Sequence, residues 1–173
     1  MKIKLLFLLS AFLLVTGLQV NFVYARRPAR KIDIKVPLKT ELNNLLKATD
    51  ALHTACYKQN EPHIEAQLKN VLHKITVAHQ KSFVQKDQAM HLSKMLDAAK
   101  TQIQLAQMNL GEKRQANLKA AFRQLVQISK VYKLDPYRIF FCSKDKSVWL
   151  QKGWRAKNPI SPQDHKNCGK LVK

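Results

Sequence analysis

The feature that most restricts the fold of this chain is a series of apolar residues at three- and four-residue steps, which begins after Pro37 and continues to Lys133. This spacing places the apolar side chains on one face of an α-helix. One helix cannot bury such a face alone, so several helices must pack together. The four predicted buried stripes are Leu38, Leu42, Leu45, Thr49, Leu52 and Cys56; Ile64, Leu68, Val71, Ile75 and Ala78; Leu92, Leu96, Ala99, Ile103, Ala106 and Leu110; and Leu118, Phe122, Leu125, Ile128 or Ser129, and Tyr132.

Residues typical of helix boundaries divide this series into four segments. The first predicted helix ends near Gln59, and Asn60 is expected to cap the N-terminus of the second. Asp87 opens the third helix, and Gly111 is expected to end it as a C-cap. The fourth helix runs to about Lys133. Four amphipathic helices of similar length predict an all-α fold, an up-and-down four-helix bundle.

The segments on either side of the bundle differ from it in composition. The bundle is predicted over residues 36–134, and residues 26–35 are predicted to be a mobile basic tether with little apolar content. The tail, residues 135–173, begins with the helix-breaking pair Asp135-Pro136. Within it, residues 138–142 and 148–151 are rich in β-branched and aromatic side chains and predict a short β-hairpin, followed by a loop packed on the bundle.

Residues 1–25 have the three parts of a secretory signal peptide. Lys2 and Lys4 precede the apolar residues 5–15, and Ala25 completes the small-residue site that signal peptidase accepts. Cleavage after Ala25 predicts a periplasmic or secreted protein, in an oxidising compartment where disulfides persist. The alternative is a retained membrane anchor, because the apolar run could extend toward the ~20 residues that span a bilayer.

The formal net charge of +20 points to anionic partners. A surplus of this size attracts phospholipid headgroups or envelope polysaccharide. The basic residues are spread over every predicted helix and are not interleaved with aromatic residues, which argues against specific nucleic-acid binding. The sequence also has no nucleophile elbow, glycine-rich phosphate loop or zinc-protease motif, and its acidic residues are few and dispersed. We therefore expect a protein that is not an enzyme.

The tail contains a series of short motifs in a fixed order. They are Phe140-Phe141-Cys142, Val148-Trp149-Leu150, Lys157-Asn158-Pro159 and Cys168-Gly169. This order resembles the end of a helical periplasmic domain of unknown function that is found in, or appended to, bacterial copper and heavy-metal efflux adaptor proteins. The resemblance extends from about Val36 to the end of the chain, and it includes the stretch Gly111-Glu112-Lys113-Arg114-Gln115 with Phe122 after it.

The tail departs from the family pattern at three places. The family reads aromatic-Cys-Pro-Met where this chain has Ser143-Lys144 after the cysteine, and it has aromatic residues where this chain has Ile160-Ser161. His165 takes the place of the methionine in the family's Met-x-x-Cys-Gly. If the family's cysteines and methionines bind a soft metal, this chain has lost both thioethers.

Cys142 and Cys168 leave two alternatives open. A disulfide between them would close a loop of 26 positions and contribute about 3 kcal/mol. Alternatively, their two thiolates and His165 could bind Cu(I) or Zn(II), for which these are suitable ligands.

The remaining candidates are predicted to be structural. Cys56 lies on the apolar stripe of the first helix and is expected to be a buried small hydrophobe. Trp149 and Trp154 are expected to cover one end of the bundle. The sequence therefore predicts an exported, non-enzymatic binding protein of the periplasm or envelope. In one version it binds a soft metal ion, Cu or Zn, through the tail; in the other it is a structural or interaction module for anionic envelope components.

Overall fold

The computed structural model describes residues 30–82 and 86–172, with the backbone alone for residues 86–89. The predicted signal peptide, residues 1–25, lies outside the described residues. Within them, no helix has the length and apolar content that crossing a bilayer requires. The chain forms a four-helix bundle followed by a short β tail, which confirms the predicted fold class. The helices are α1 (Leu38–Tyr57), α2 (Glu61–Ser82), α3 (Lys86–Met108) and α4 (Gly111–Val131).

The bundle forms because the four apolar stripes meet in one core. Each helix packs against the next, and α1 also contacts α4. Every residue of the predicted stripes is buried except Leu110, which follows the end of α3 and is 73% exposed. Thr49 is accommodated in the core because its hydroxyl donates a hydrogen bond to the Leu45 carbonyl at 2.8 Å.

The connection between α3 and α4 differs from the prediction. Helix α3 ends at Met108, and Gly111 is the first residue of α4, with a φ of +57° that glycine adopts at little cost. Gly111 is therefore not the C-cap of α3. Carbonyl groups at this end are instead satisfied by the Nε–H of Arg114, which donates to Ala106 at 3.1 Å and to Asn109 at 2.8 Å.

Arg114 also joins this end of the bundle to the start of α2. Its buried guanidinium forms ion pairs with Glu61, at 2.6 Å, and with Glu65. A charge at a buried position needs such partners, since an unpaired one is strongly destabilising. Next to this cluster, the backbone N–H of His63 donates to the Asn60 side chain at 3.1 Å, which confirms the predicted N-cap.

Residues 30–35, the described part of the predicted tether, belong to the fold, contrary to the mobile segment expected. The N–H of Ile32 donates to the Val131 carbonyl and the N–H of Lys133 donates to the Ile32 carbonyl, both at 2.8 Å. Ile34 is buried in the core. The segment is held because backbone groups at the end of α4 require partners and because alternate side chains of the segment are apolar.

The tail forms a three-stranded antiparallel sheet with the order β2-β1-β3. Strands β1 (Arg138–Phe141) and β2 (Val148–Gln151) are the predicted hairpin, and the short strand β3 (Lys170–Leu171) is an addition to it. Phe140 pairs with Trp149 across the hairpin, and their stacked rings lie 5.9 Å apart. Both rings belong to the same apolar cluster as the helices, so the bundle and the tail share one core.

Candidate functional site

Two of the three residues of the predicted metal site are covalently joined. Cys142, the residue after β1, forms a disulfide with Cys168, and their Cα atoms are 5.3 Å apart. His165 lies in the turn before Cys168: its N–H donates to the Ser161 carbonyl at 2.8 Å and its carbonyl accepts from the Cys168 N–H at 2.9 Å. Of the two alternatives that the sequence leaves open, the structure contains the disulfide.

The disulfide changes what this part of the tail can bind. Cu(I) and Zn(II) bind cysteine as the thiolate. In the disulfide, neither Cys142 nor Cys168 is a thiolate. The His165 ring has its Nδ1 atom 2.7 Å from the Asp164 carbonyl oxygen. Among the residues that the structure describes, no three His, Cys, Asp or Glu side chains are grouped to hold a metal ion. Metal binding through the predicted set therefore requires the disulfide to be reduced first.

Cys56, on α1, is a free cysteine in the core. Burial raises the pKa of its thiol to about 12. It is therefore a neutral thiol at physiological pH and reacts slowly with electrophiles. Its position agrees with the prediction of a buried small hydrophobe.

A polar cluster fixes the turn between β1 and β2 to the loop between β2 and β3. Asp145 accepts hydrogen bonds from the Ser147 N–H at 2.9 Å, the Ser147 hydroxyl at 2.6 Å and the Asn158 amide at 2.7 Å. Desolvation raises the pKa of Asp145, but these hydrogen bonds outweigh it and hold the pKa below its ordinary value. The Asn158 side-chain oxygen accepts from the Ile160 N–H at 2.8 Å and the Ser161 N–H at 3.2 Å.

A second cluster, centred on the buried side chain of Gln151, builds the loop over residues 152–157. The Gln151 Oε1 atom accepts from the indole N–H of Trp149 at 2.9 Å and from the Lys157 N–H at 3.2 Å. Its Nε2 atom donates to the carbonyls of Gly153, at 3.0 Å, and Arg155, at 2.7 Å. The loop therefore surrounds one buried amide that fixes its backbone at three points.

His53 connects this loop to the bundle. Its Nε2 atom lies 2.7 Å from the Lys157 carbonyl oxygen, which assigns the proton to Nε2. Desolvation in the core lowers the pKa of His53. The ring is therefore neutral at physiological pH and donates one hydrogen bond from α1 to the tail.

The backbone at Gly169 passes directly over Trp149. A Cβ atom at this position would lie 2.8 Å from the Cη2 atom of Trp149 and 2.9 Å from the Cβ atom of Ala156. Both distances are shorter than van der Waals contact. The close approach explains why a glycine follows Cys168 at this point.

The outer face of the loop carries an exposed indole among cations. Trp149 is fully buried, as predicted, but Trp154 is 75% exposed, so its predicted position against the bundle is wrong. The guanidinium carbon of Arg138 lies 3.3 Å from the centroid of the Trp154 ring, and the Lys152 Nζ atom lies 5.6 Å from that of Tyr137. Both are cation–π contacts. Tyr137, Arg138, Lys152, Trp154 and Arg155 are called the Trp154 surface below.

The described part of the tail has a large excess of positive charge. It contains eight lysines and arginines against three aspartates. None of these eight cations forms a salt bridge with a described carboxylate. Hydrogen bonds from Ser147 and Asn158 keep Asp145 ionised, so it offsets one of the eight positive charges. The eight cations are Arg138, Lys144, Lys146, Lys152, Arg155, Lys157, Lys166 and Lys170.

The candidate site is therefore a rigid cationic surface. The disulfide, the Gln151 amide and His53 fix the backbone of the tail, and the charged side chains and Trp154 project from it. Comparison with protein-family models, with curated proteins and with solved structures finds no match to this chain.

Proposed function

We propose that this protein is a non-catalytic binding module outside the cytoplasm, which attaches to anionic phospholipid of the cell envelope through the Trp154 surface. The observation that carries the proposal is an exposed indole held on a hydrogen-bonded loop among cations whose charged groups form no salt bridge with a described carboxylate. Asp50 accepts a hydrogen bond from the backbone N–H of Lys152 at 3.2 Å, not from its side chain. Indole rings favour the boundary between water and lipid, and lysine and arginine are attracted to anionic headgroups.

The disulfide supports the location given in the proposal. Disulfides form and persist in oxidising compartments, and they are rare in the cytoplasm. The pair Cys142–Cys168 lies in the tail that also carries Trp154, so the cross-link stabilises the proposed binding surface. The predicted signal peptide points to the same location.

A phospholipid surface fits better than an anionic polysaccharide. Proteins bind sugar rings by stacking them on the faces of aromatic side chains, and the Arg138 guanidinium already occupies one face of Trp154. Trp154 is 75% exposed, which leaves most of the indole available for insertion between headgroups. Metal binding at Cys142, His165 and Cys168, the function implied by the family resemblance, fits less well because it requires a reduced tail.

Binding to vesicles tests the proposal. Disulfide-intact protein is mixed with vesicles of phosphatidylcholine alone and with vesicles in which a quarter of the lipid is phosphatidylglycerol, and bound protein is measured by sedimentation. We expect binding to the anionic vesicles only, with a blue shift of Trp154 fluorescence. Binding should weaken steeply with salt, because the Debye length is ~8 Å at 0.15 M salt and shorter above it. Binding to heparin with none to anionic vesicles would overturn the choice of lipid, and binding to neither would overturn the proposal.

A matched pair of variants locates the contact. Lys152→Gln with Arg155→Gln should weaken vesicle binding about 30-fold, since each cation near an anionic surface contributes about 1 kcal/mol. Lys69→Gln with Lys94→Gln makes the same change in charge on α2 and α3, where both lysines are exposed. That control should weaken binding much less. Equal losses in the two variants would show that net charge alone drives binding.

A further inference from the structure

The surface contains an open groove of about 700 Å³. One wall is formed by residues 30–32 and the end of α4, and the other by the sheet of the tail. Both walls are held by backbone hydrogen bonds. In the first, Ile32 donates to Val131 at 2.8 Å, and in the second, Val172 donates to Ile139 at 2.8 Å. These hydrogen bonds fix both walls, and small-molecule sites commonly have such preformed walls.

The interior of the groove is apolar. It is lined by Ile32, Val131, Ile139, Leu171 and Val172. Two of these side chains are unusually accessible for their type: Ile32 is 36% exposed and Leu171 is 49% exposed. Aliphatic side chains gathered in one concave surface gain free energy when another apolar group covers them.

The rim of the groove is cationic. Arg30, Lys31, Lys130 and Arg138 line it, and no carboxylate is among its described lining residues. The Lys31 Nζ atom donates to the Ser129 carbonyl at 3.0 Å, which holds this charge at the end of α4. An apolar interior with a rim of one sign of charge is complementary to a ligand with one apolar chain and an anionic head.

We propose that this groove binds a long-chain fatty acid, with its acyl chain along the apolar interior and its carboxylate among the cations of the rim. A groove of about 700 Å³ is in the usual size range of small-molecule sites, so one acyl chain is a suitable occupant. The groove shares Tyr137 and Arg138 with the Trp154 surface, whereas Lys152, Trp154 and Arg155 lie outside it. Neither activity requires the other.

Fluorescence titration with cis-parinaric acid, a long-chain fatty acid that fluoresces when bound, tests the proposal on the disulfide-intact protein. We expect saturable binding of one molecule per chain, with competition by oleate. Oleyl alcohol, which has the same chain without the carboxylate, should compete about tenfold more weakly, because it loses the attraction of the rim. Acetate, which has the carboxylate without the chain, should not compete. Binding that does not saturate, or equal competition by oleate and oleyl alcohol, would overturn the proposal.

Two variants with the same chemical change show where the fatty acid binds. Leu171→Asp should weaken parinarate binding about tenfold, because it places a carboxylate in the apolar interior. Leu110→Asp, at an exposed leucine outside the groove, should leave it unchanged. Equal effects of the two would refute the assignment. If Leu171→Asp does not fold, the comparison of oleate with oleyl alcohol on the unchanged protein still decides the question.

A second pair of variants on α4 tests the rim. Lys130→Gln removes one of its cations and should weaken binding of oleate but not of oleyl alcohol. Lys113→Gln makes the same change in the first turn of that helix, outside the groove, and should have no effect. Leu171→Asp should still bind anionic vesicles through the Trp154 surface. A failure of the fatty-acid proposal is therefore distinguishable from a failure of the proposed function.

Discussion

The helical bundle and the C-terminal tail are stabilised in different ways. In the bundle, many similar apolar contacts, such as those of Leu45 and Leu68, cover one another along four helices. In the tail, a few particular groups hold the backbone: the Cys142–Cys168 disulfide and the buried amide of Gln151. The bundle should therefore tolerate a conservative change at most positions, whereas the tail depends on the chemistry of single residues.

The two regions nevertheless share one apolar core. Phe140 and Trp149 of the tail belong to the same apolar cluster as Phe122 of α4, and β2 packs on both α1 and α4. Loss of the tail would expose part of the core of the bundle to water. The comparison shows how a repetitive helical core can carry an irregular surface on which each group has a fixed position.

The largest expected effect is that of Trp149→Ala. This change removes a fully buried indole and the hydrogen bond to Gln151, and it should lower the free energy of unfolding by about 4 kcal/mol. Leu45→Met, at a fully buried bundle position, should cost less than about 1.5 kcal/mol. Denaturant unfolding measures both. If Leu45→Met is as costly as Trp149→Ala, the bundle is not the tolerant region.

Removal of the disulfide should have the next largest effect. Cys142→Ala with Cys168→Ala should lower the free energy of unfolding by about 3 kcal/mol, because the unfolded chain gains the freedom of an open loop. Cys56→Ala, at the free buried cysteine of the bundle, should cost about 1 kcal/mol. The melting temperatures of the two variants give the comparison. A double variant as stable as the unchanged protein would show that the cross-link does not hold the tail.

Gly169→Ala should destabilise the tail by about 2 kcal/mol, because the added Cβ atom overlaps Trp149 and Ala156. Gly153→Ala is the control in the same region, since its Cβ atom would lie 3.4 Å from the Gln151 Nε2 atom, which is ordinary contact. Thermal unfolding of both variants tests this difference. A neutral Gly169→Ala would mean that the backbone does not pass so close to the indole.

The smallest expected effect is a dependence on pH through His53. Burial lowers its pKa in the folded protein, so the unfolded chain binds the proton first. Stability should therefore fall as the pH drops below about 6.5 and level off below the folded pKa, with a slope of at most about 1.4 kcal/mol per pH unit for one group. Unfolding at pH values from 7.5 to 5 measures the slope.

Matched substitutions assign this slope to its residue. His53→Gln should remove most of it, because glutamine does not titrate. His73→Gln, at an exposed bundle histidine, should leave it unchanged. If both variants keep the full slope, another group links stability to pH.

Sequence periodicity was sufficient to predict the bundle because each buried stripe is a local pattern. The spacing of apolar residues alone predicts the stripe from Ile64 to Ala78 and the stripe from Leu92 to Ala106. Both are buried, because each apolar face must pack against other helices to be removed from water. The hairpin is also predicted, and the disulfide is one of the two alternatives that the sequence leaves open for Cys142 and Cys168. Leu110 was misplaced because periodicity does not mark the residue at which a helix ends.

The candidate site could not be predicted to the same extent, because its contacts join residues that are distant in sequence. His53 meets the Lys157 carbonyl across 104 positions, and the Lys152 N–H meets the Asp50 carboxylate across 102. Neither pair has a signature in local spacing. The sequence predicts Trp154 against the bundle because indoles are usually buried. In the structure, the loop that is held by Gln151 leaves Trp154 exposed on its outer face.

The central claim is that the tail is closed by the Cys142–Cys168 disulfide in the compartment where the protein resides. Alkylation of protein isolated from that compartment, before and after unfolding and without reductant, tests it directly when the added mass is measured. We expect almost no rapid labelling of the folded protein, because Cys56 is buried with a raised pKa, and one label per chain after unfolding. Three labels per chain after unfolding would contradict the claim.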